Sequence, residues 1–254
     1  MHVKPFQSHI PKERLGRMTS RMTLIIGMNC HDCLLFCADR EESTESGGKR
    51  SVSKIHEASG DKWSMGIATS GSGPLGDIAA LRIIKRAKID KNFNADPAPT
   101  IEKAVSEIYK KYIFPRDERR QMERGISLVI GVYDEESGGK FLFKTFEEIV
   151  KPENHYACAG SGLDIAYYFL DRLHRDGLRG DDAKMLTAFI LREAKSSVGG
   201  VGNESEFFMI PHSGRYKGMT SRSLIGQAID WHFIPHLSKC LSPFWDSGLS
   251  KPEK

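Results

Sequence analysis

Two apolar runs, residues 24–28 (LIIGM) and 34–38 (LLFCA), flank the polar pair His31-Asp32. Apolar runs on either side of a short polar link read as a β-hairpin. The register follows from where the turn is centred. A turn on His31, or between His31 and Asp32, sets Thr23 opposite Asp39 or Arg40. A hydroxyl, a carboxylate and a guanidinium then meet at one end of a sheet. Lys54 follows in a third short run, residues 51–56 (SVSKIH), read as a strand. A hydroxyl beside a lysine amine is a nucleophile with a partner that lowers the cost of deprotonating it.

The chain has 254 residues, enough for one large domain or two small ones with a substantial core. No apolar run approaches the ~20 residues that span a bilayer, so no membrane association is expected. Five cysteines, an odd and sparse number, argue against a disulfide framework and for a reducing, cytoplasmic setting. The formal net charge of +4 sits in the leader. Residues 1–21 carry Lys4, Lys12, Arg14, Arg17 and Arg21 against Glu13 alone, and the remainder is balanced. The body therefore offers no electrostatic case for nucleic-acid binding. The leader lacks the apolar stretch of a secretory signal and only faintly has the basic, acid-poor character of an organelle-targeting segment. A dispensable tail, or a start placed too early, is the simpler reading, because Met22-Thr23 is itself a plausible start.

After the hairpin, residues 41–50 (EESTESGGKR) read as a polar loop and 62–69 as a strand ending in Ser70-Gly71-Ser72-Gly73. Pro74 suits the first turn of a helix. The apolar spacing predicts helices over 78–89 and from Thr100, the expected N-cap, through Tyr112. A second hairpin is expected over 127–133 and 140–146, and a short strand over 155–159 that ends at Gly160-Ser161-Gly162. Helices over 163–174 and 181–197 and a late strand over 207–210 complete the pattern. Strands, two helices, strands and two helices suit a sheet-on-sheet core with a helical layer on each outer face, an α+β arrangement. Residues 22–212 read as the folded domain and 213–254 as a C-terminal extension, aromatic at Trp231, Phe233, Phe244 and Trp245.

Residues 22–40, the Ser53-Lys54-Ile55 run, the strand-to-glycine turn over 66–73, residues 156–162 and the helix end over 194–200 occur in the order found in the proteasome-type family of N-terminal-nucleophile hydrolases, which the chain resembles from about Met22 to Ile210. The resemblance to proteasome β-type subunits implies a four-layer αββα sandwich and an N-terminal threonine nucleophile whose freed α-amine serves as base. Residue by residue, Thr23 resembles the nucleophile, Asp39 the aspartate at the end of the second strand, and Lys54 the neighbouring lysine. Ser161 resembles the serine that supports the threonine amine. Gly71 resembles the glycine whose amide holds the oxyanion, and Thr69 then lines the substrate pocket. The implied activity is threonine-type amide hydrolysis without a cofactor or metal, on a peptide or a small amide. A homo-oligomeric ring, with any regulatory partner unidentified, is implied as well.

Two features depart from the family pattern. An aspartate common near the end of the fourth helix is absent from Lys195-Ser-Ser-Val-Gly-Gly200, where either Ser196 or Ser197 substitutes for it or the site is weakened. Met22 stands where self-processing subunits usually have glycine, but a methionine aminopeptidase would expose the small Thr23 if translation began at Met22. Both departures favour the alternative, a non-catalytic structural subunit of a ring assembly. The cluster Cys30-His31-Asp32-Cys33 with Cys37 lacks a second ligand pair, so buried hairpin cysteines are expected rather than a metal site. His155, His174 and His212 stand alone in the sequence.

Overall fold

The computed structural model describes residues 23–43, 48–117 and 125–212. The leader and the C-terminal extension lie outside the described residues. The first hairpin is β1 (Ile25–Asn29) and β2 (Cys33–Asp39). They pair antiparallel from Ile25 opposite Ala38 to Asn29 opposite Leu34, which centres the turn between His31 and Asp32. A short ribbon follows, β3 (Glu41–Ser43) with β4 (Lys49–Ser51), then β5 (Ile55–Ser59) and β6 (Trp63–Gly71). Two helices come next, α1 (Gly73–Ala87) and α2 (Ala98–Ile108), and a π-helical turn, Tyr109–Ile113, continues α2. The second half contains β7 (Ile126–Asp134), β8 (Lys140–Phe146), β9 (Ile149–Pro152), β10 (Tyr156–Ala159), α3 (Leu163–Leu173), α4 (Gly180–Ser197) and β11 (Ser205–Pro211).

These strands form two main sheets, one ordered β10-β1-β2-β11 and one ordered β5-β6-β7-β8-β9, with antiparallel pairing throughout. All residues of β2 are buried, which happens only when both faces of a sheet are covered. Successive side chains point to opposite faces. Cys33, Leu35 and Cys37 pack with Ala183, Ala188 and Leu191 of α4, while Leu34, Phe36 and Ala38 meet Val129 and Leu142 of the other sheet. On β7 the same alternation sends Leu128, Ile130 and Val132 toward α1 and α2. Three apolar layers therefore separate four structural ones, and the αββα sandwich follows from the strand patterning.

The inter-sheet layer is fitted around one ring. Gly66 and Gly131 are register partners on β6 and β7. A Cβ on either would lie 2.7 or 2.6 Å from the Phe36 ring. The ring occupies the space of two missing side chains, with Phe208 of β11 beside it at 5.9 Å between centroids.

Some expectations shift. Lys54 lies in the connection between β4 and β5, because the pairing of β5 with β6 begins only at Ile55. Thr100 does not cap α2. The helix starts at Ala98 after Pro97, and the Thr100 hydroxyl donates to Asp90, tying the first turn of α2 to the start of the loop that follows α1. Pro74 does open α1.

Candidate active site

The site forms where β1 and β2 end. The ladder continues one step past Ile25, with the Asp39 amide donating to Leu24 O at 3.1 Å. The Asp39 side chain then folds back over the strand end. Its Oδ1 accepts from Leu24 N at 2.8 Å, from Lys54 Nζ at 3.0 Å and from the Thr23 hydroxyl. Its Oδ2 accepts from the amides of Glu41 and Gly202 at 3.1 and 3.2 Å. Asp39 is 0% exposed. A carboxylate so buried is tolerable because these donors and one ammonium replace its water.

Lys54 approaches from the other sheet's connection. Its backbone is clamped on both sides: the amide donates to the Glu206 carboxylate, and the carbonyl accepts from Thr69 N at 2.9 Å. The ammonium donates to the Thr23 hydroxyl, to Asp39 and to Glu41 O at 2.7 Å. An ammonium has three protons to give, so Lys54 is fully used. Burial pulls its pKa below the ordinary 10.5, and the Asp39 charge opposes that pull.

Thr23 Oγ1 thus accepts from Lys54 and donates to Asp39. The Thr23 backbone is held from β10's side. Its nitrogen donates to Ser161 Oγ at 3.1 Å, and its carbonyl accepts from Ser161 Oγ at 3.3 Å and from Gly162 N at 3.2 Å. Gly160 has φ +102°, and a Cβ there would sit 2.2 Å from Thr23 O. Only glycine fits this turn and this approach.

Thr23, Asp39, Lys54 and Ser161 are therefore brought into one network. Thr69 adjoins it through two bonds to the Lys54 carbonyl, the second from its hydroxyl at 3.4 Å. Gly71 lies two residues on, at the end of β6, with φ +93°, and among the described residues the network stops short of it. Arg40 turns away, donating to Val52 O at 3.3 Å and pairing with Glu204. Ser196 and Ser197 do not join the network. Ser196 donates to Glu193 O at 2.8 Å, and the two hydroxyls lie 3.3 Å apart. Lys195 occupies this helix end, donating to Asn203 O and Ser205 Oγ at 2.6 and 2.7 Å. Burial lowers its pKa, against the pull of Asp39.

Sequence reasoning missed Glu206, Glu41 and Gly202. Glu206 is 4% exposed and also accepts from the Ser53 hydroxyl at 2.8 Å. The available signal is its place two residues before Phe208, on the face that enters the inter-sheet layer. Cys30, Cys33, Cys37 and Cys158 are buried free thiols. Among the described residues, the group spaced to hold a metal ion is His155, His174 and Asp176, at the far end of β10.

A four-layer αββα sandwich with a threonine, an aspartate and a lysine joined at the end of its first hairpin is a proteasome-like N-terminal-nucleophile fold. A profile for the family described as "Proteasome subunit" matches residues 20–210, and the chain belongs to that family. Among solved structures it is similar to Anbu (ancestral beta-subunit) from Yersinia bercovieri, with TM-score 0.72 and 13% identity over 91% of this chain and 100% of that one. It is similar also to the helical assembly of the Anbu complex from Pseudomonas aeruginosa, with TM-score 0.71 and 14% identity over 91% of this chain and 99% of that one. A third similar structure is the Anbu (Gly-1) mutant from Hyphomicrobium sp. strain MC1, with TM-score 0.68 and 15% identity over 91% of this chain and 98% of that one. No curated protein matches the chain. Among the described residues no helix is long and apolar enough to cross a membrane.

Proposed function

We propose that this chain is a threonine-type amide hydrolase, acting on peptides, with Thr23 as its N-terminal nucleophile. The observation that carries the reading is the doubly bonded Thr23 hydroxyl, which accepts from Lys54 and donates to Asp39 inside a buried network. Removal of all residues before Thr23 would turn the Thr23 nitrogen into an amine at the place where Ser161 Oγ now stands 3.1 Å away. That amine takes the hydroxyl proton as Oγ1 bonds to the substrate carbonyl carbon. The developing Oγ1 charge is stabilised by the Lys54 ammonium. Oxyanion stabilisation is assigned to the Gly71 amide. Collapse expels the amine half of the substrate with the proton, and water then hydrolyses the Thr23 ester.

Assembly into a homo-oligomer belongs to the same proposal, and the helical Anbu assembly supports it at the level of fold. A cytoplasmic setting accords with the buried free thiols. Lys195 at the helix end favours a second reading, a non-catalytic structural subunit. Mass by size exclusion combined with a peptide–fluorophore screen separates the two. An assembly that cleaves peptides is the expected result, and an inert assembly supports the structural role. A protein that cleaves only small amides would keep the nucleophile and change the substrate class.

The pH profile carries a further prediction. The α-amine must be neutral to act as base, so kcat/KM rises with pH through about 7.7–8.0, the usual range of that group. It falls again where Lys54 loses its proton, below the ordinary 10.5. The Glu206 charge raises the Lys54 pKa. Glu206→Gln is therefore expected to move the alkaline limb to lower pH and leave the acid limb in place. Coincident alkaline limbs for the two proteins would show that Glu206 acts only on the backbone.

A further inference from the structure

His155 and His174 are distant in sequence but adjacent in the fold. Their rings lie 5.2 Å apart between centroids. Asp176 completes the group, with its Oδ1 at 3.6 Å from His155 Nδ1, and ligand atoms from all three residues lie within 4.8 Å of one another. We propose that His155, His174 and Asp176 form a binding site for a divalent transition metal of zinc type, at the end of β10 remote from Thr23.

The backbones that carry the three side chains are fixed. His155 lies on the extension of β10, where its carbonyl accepts from Asn29 N at 2.8 Å. His174 closes α3, donating its amide to Leu170 O at 2.9 Å. The turn carrying Asp176 is held by Leu178 N to Arg175 O at 3.2 Å and by His31 N to Leu178 O at 2.8 Å. The His174 ring stands edge-on to Tyr156 at 5.1 Å, and the Tyr156 hydroxyl donates to Asp171 at 2.7 Å. The side chains of His155 and Asp176 are largely exposed, so they can close on an ion without opening the core.

The donor set decides the class of ion. Two imidazoles and one carboxylate suit zinc and neighbouring transition metals, whereas magnesium and calcium take oxygen ligands. A metal ligand must be a neutral imidazole. Three protein ligands leave a fourth position for water. His155 stands five residues from Gly160, so roughly 16 Å of strand at ~3.3 Å per residue separates the site from Thr23. The ion would tie the start of β10 to the α3–α4 turn and take no part in the chemistry.

The test is calorimetric titration of the chelator-treated full chain with zinc chloride, beside thermal melts. The expected result is one site per chain that both His155→Ala and His174→Ala weaken by at least about tenfold, the lower bound seen even for losses around the ligands. Asp176→Asn is expected to weaken it less, and His56→Ala to leave it unchanged. Without zinc the variants should melt as the parent does, and zinc should raise the melting temperatures of the parent and of His56→Ala by more than those of His155→Ala and His174→Ala. No zinc binding by the parent overturns the proposal. So does an affinity unchanged in the His155→Ala/His174→Ala double variant, or competition by magnesium at equal concentration.

Discussion

A Thr23→Ala protein is expected to fold, to assemble as the parent does, and to lose peptide cleavage by a factor on the order of 10⁴ or more. Losses of that scale follow when a nucleophile is removed from a set of groups that act as a unit. The fold should tolerate the change. Asp39 keeps its bonds to Leu24, Lys54, Glu41 and Gly202, and Lys54 keeps Asp39 and Glu41. The hydroxyl's two bonds go to buried charged groups, so its removal costs about 1.5–3 kcal/mol. Thr23→Ser, which retains the hydroxyl and the amine, should keep measurable turnover. An electrophile that requires both groups should label the parent and the serine variant and leave the alanine variant unmarked. Peptide mapping of the adduct reads the outcome, and full turnover by Thr23→Ala would refute the assignment of the nucleophile.

Asp39→Ala is expected to be the most destabilising change in the site. It leaves the Lys54 ammonium buried without its ion-pair partner and deprives the amides of Leu24, Glu41 and Gly202 of their acceptor. Breaking a buried pair by removing one member costs about 3–5 kcal/mol. Urea unfolding of the two proteins measures it. Lys54→Ala added to Asp39→Ala should recover part of the loss, because the stranded charge is then gone. The pH dependence has a definite sign. Lys54 has a depressed pKa in the folded chain, so between that value and 10.5 the folded state binds fewer protons than the unfolded one. Stability contributed by this group is complete above 10.5 and is lost as pH falls through the folded value. In Asp39→Ala the opposing pull of the carboxylate is absent, so the window opens at lower pH. A stability difference below about 1 kcal/mol would mean that water reaches Lys54 and that the network is not dry.

The hairpin was legible because two apolar runs around His31-Asp32 leave little freedom of register, and the observed turn is one of the two centres expected. That register sets Asp39 opposite Leu24, and the Asp39 side chain reaches Thr23 by folding back over the strand end. Lys54 and Ser161 were legible only through the order of several short motifs, since a lysine before an isoleucine has no chemical signature of its own. The contributions of Glu206 and Gly202 were not legible. Both reach the site through the pairing of β11 with β2, where Ser205 stands opposite Asp39 across a separation of more than half the chain. No local pattern encodes such a pairing. Thr100 misled for a related reason. Its side chain has the chemistry of a cap, but Asp90 offered its hydroxyl a stronger acceptor and Pro97 had already started the helix. His155 and His174 read as isolated because they stand at the outer ends of β10 and α3, which the turn at residues 160–162 folds back on each other.

The site's chemistry turns on whether Thr23 carries a free amine. The most direct measurement is intact mass with N-terminal sequencing of the protein isolated from its native source in assembled form. The expected result is a chain that begins at Thr23, with the α-amine unmodified and placed against Ser161. A native assembly whose chains retain Met22 or any residue before it contradicts the catalytic reading.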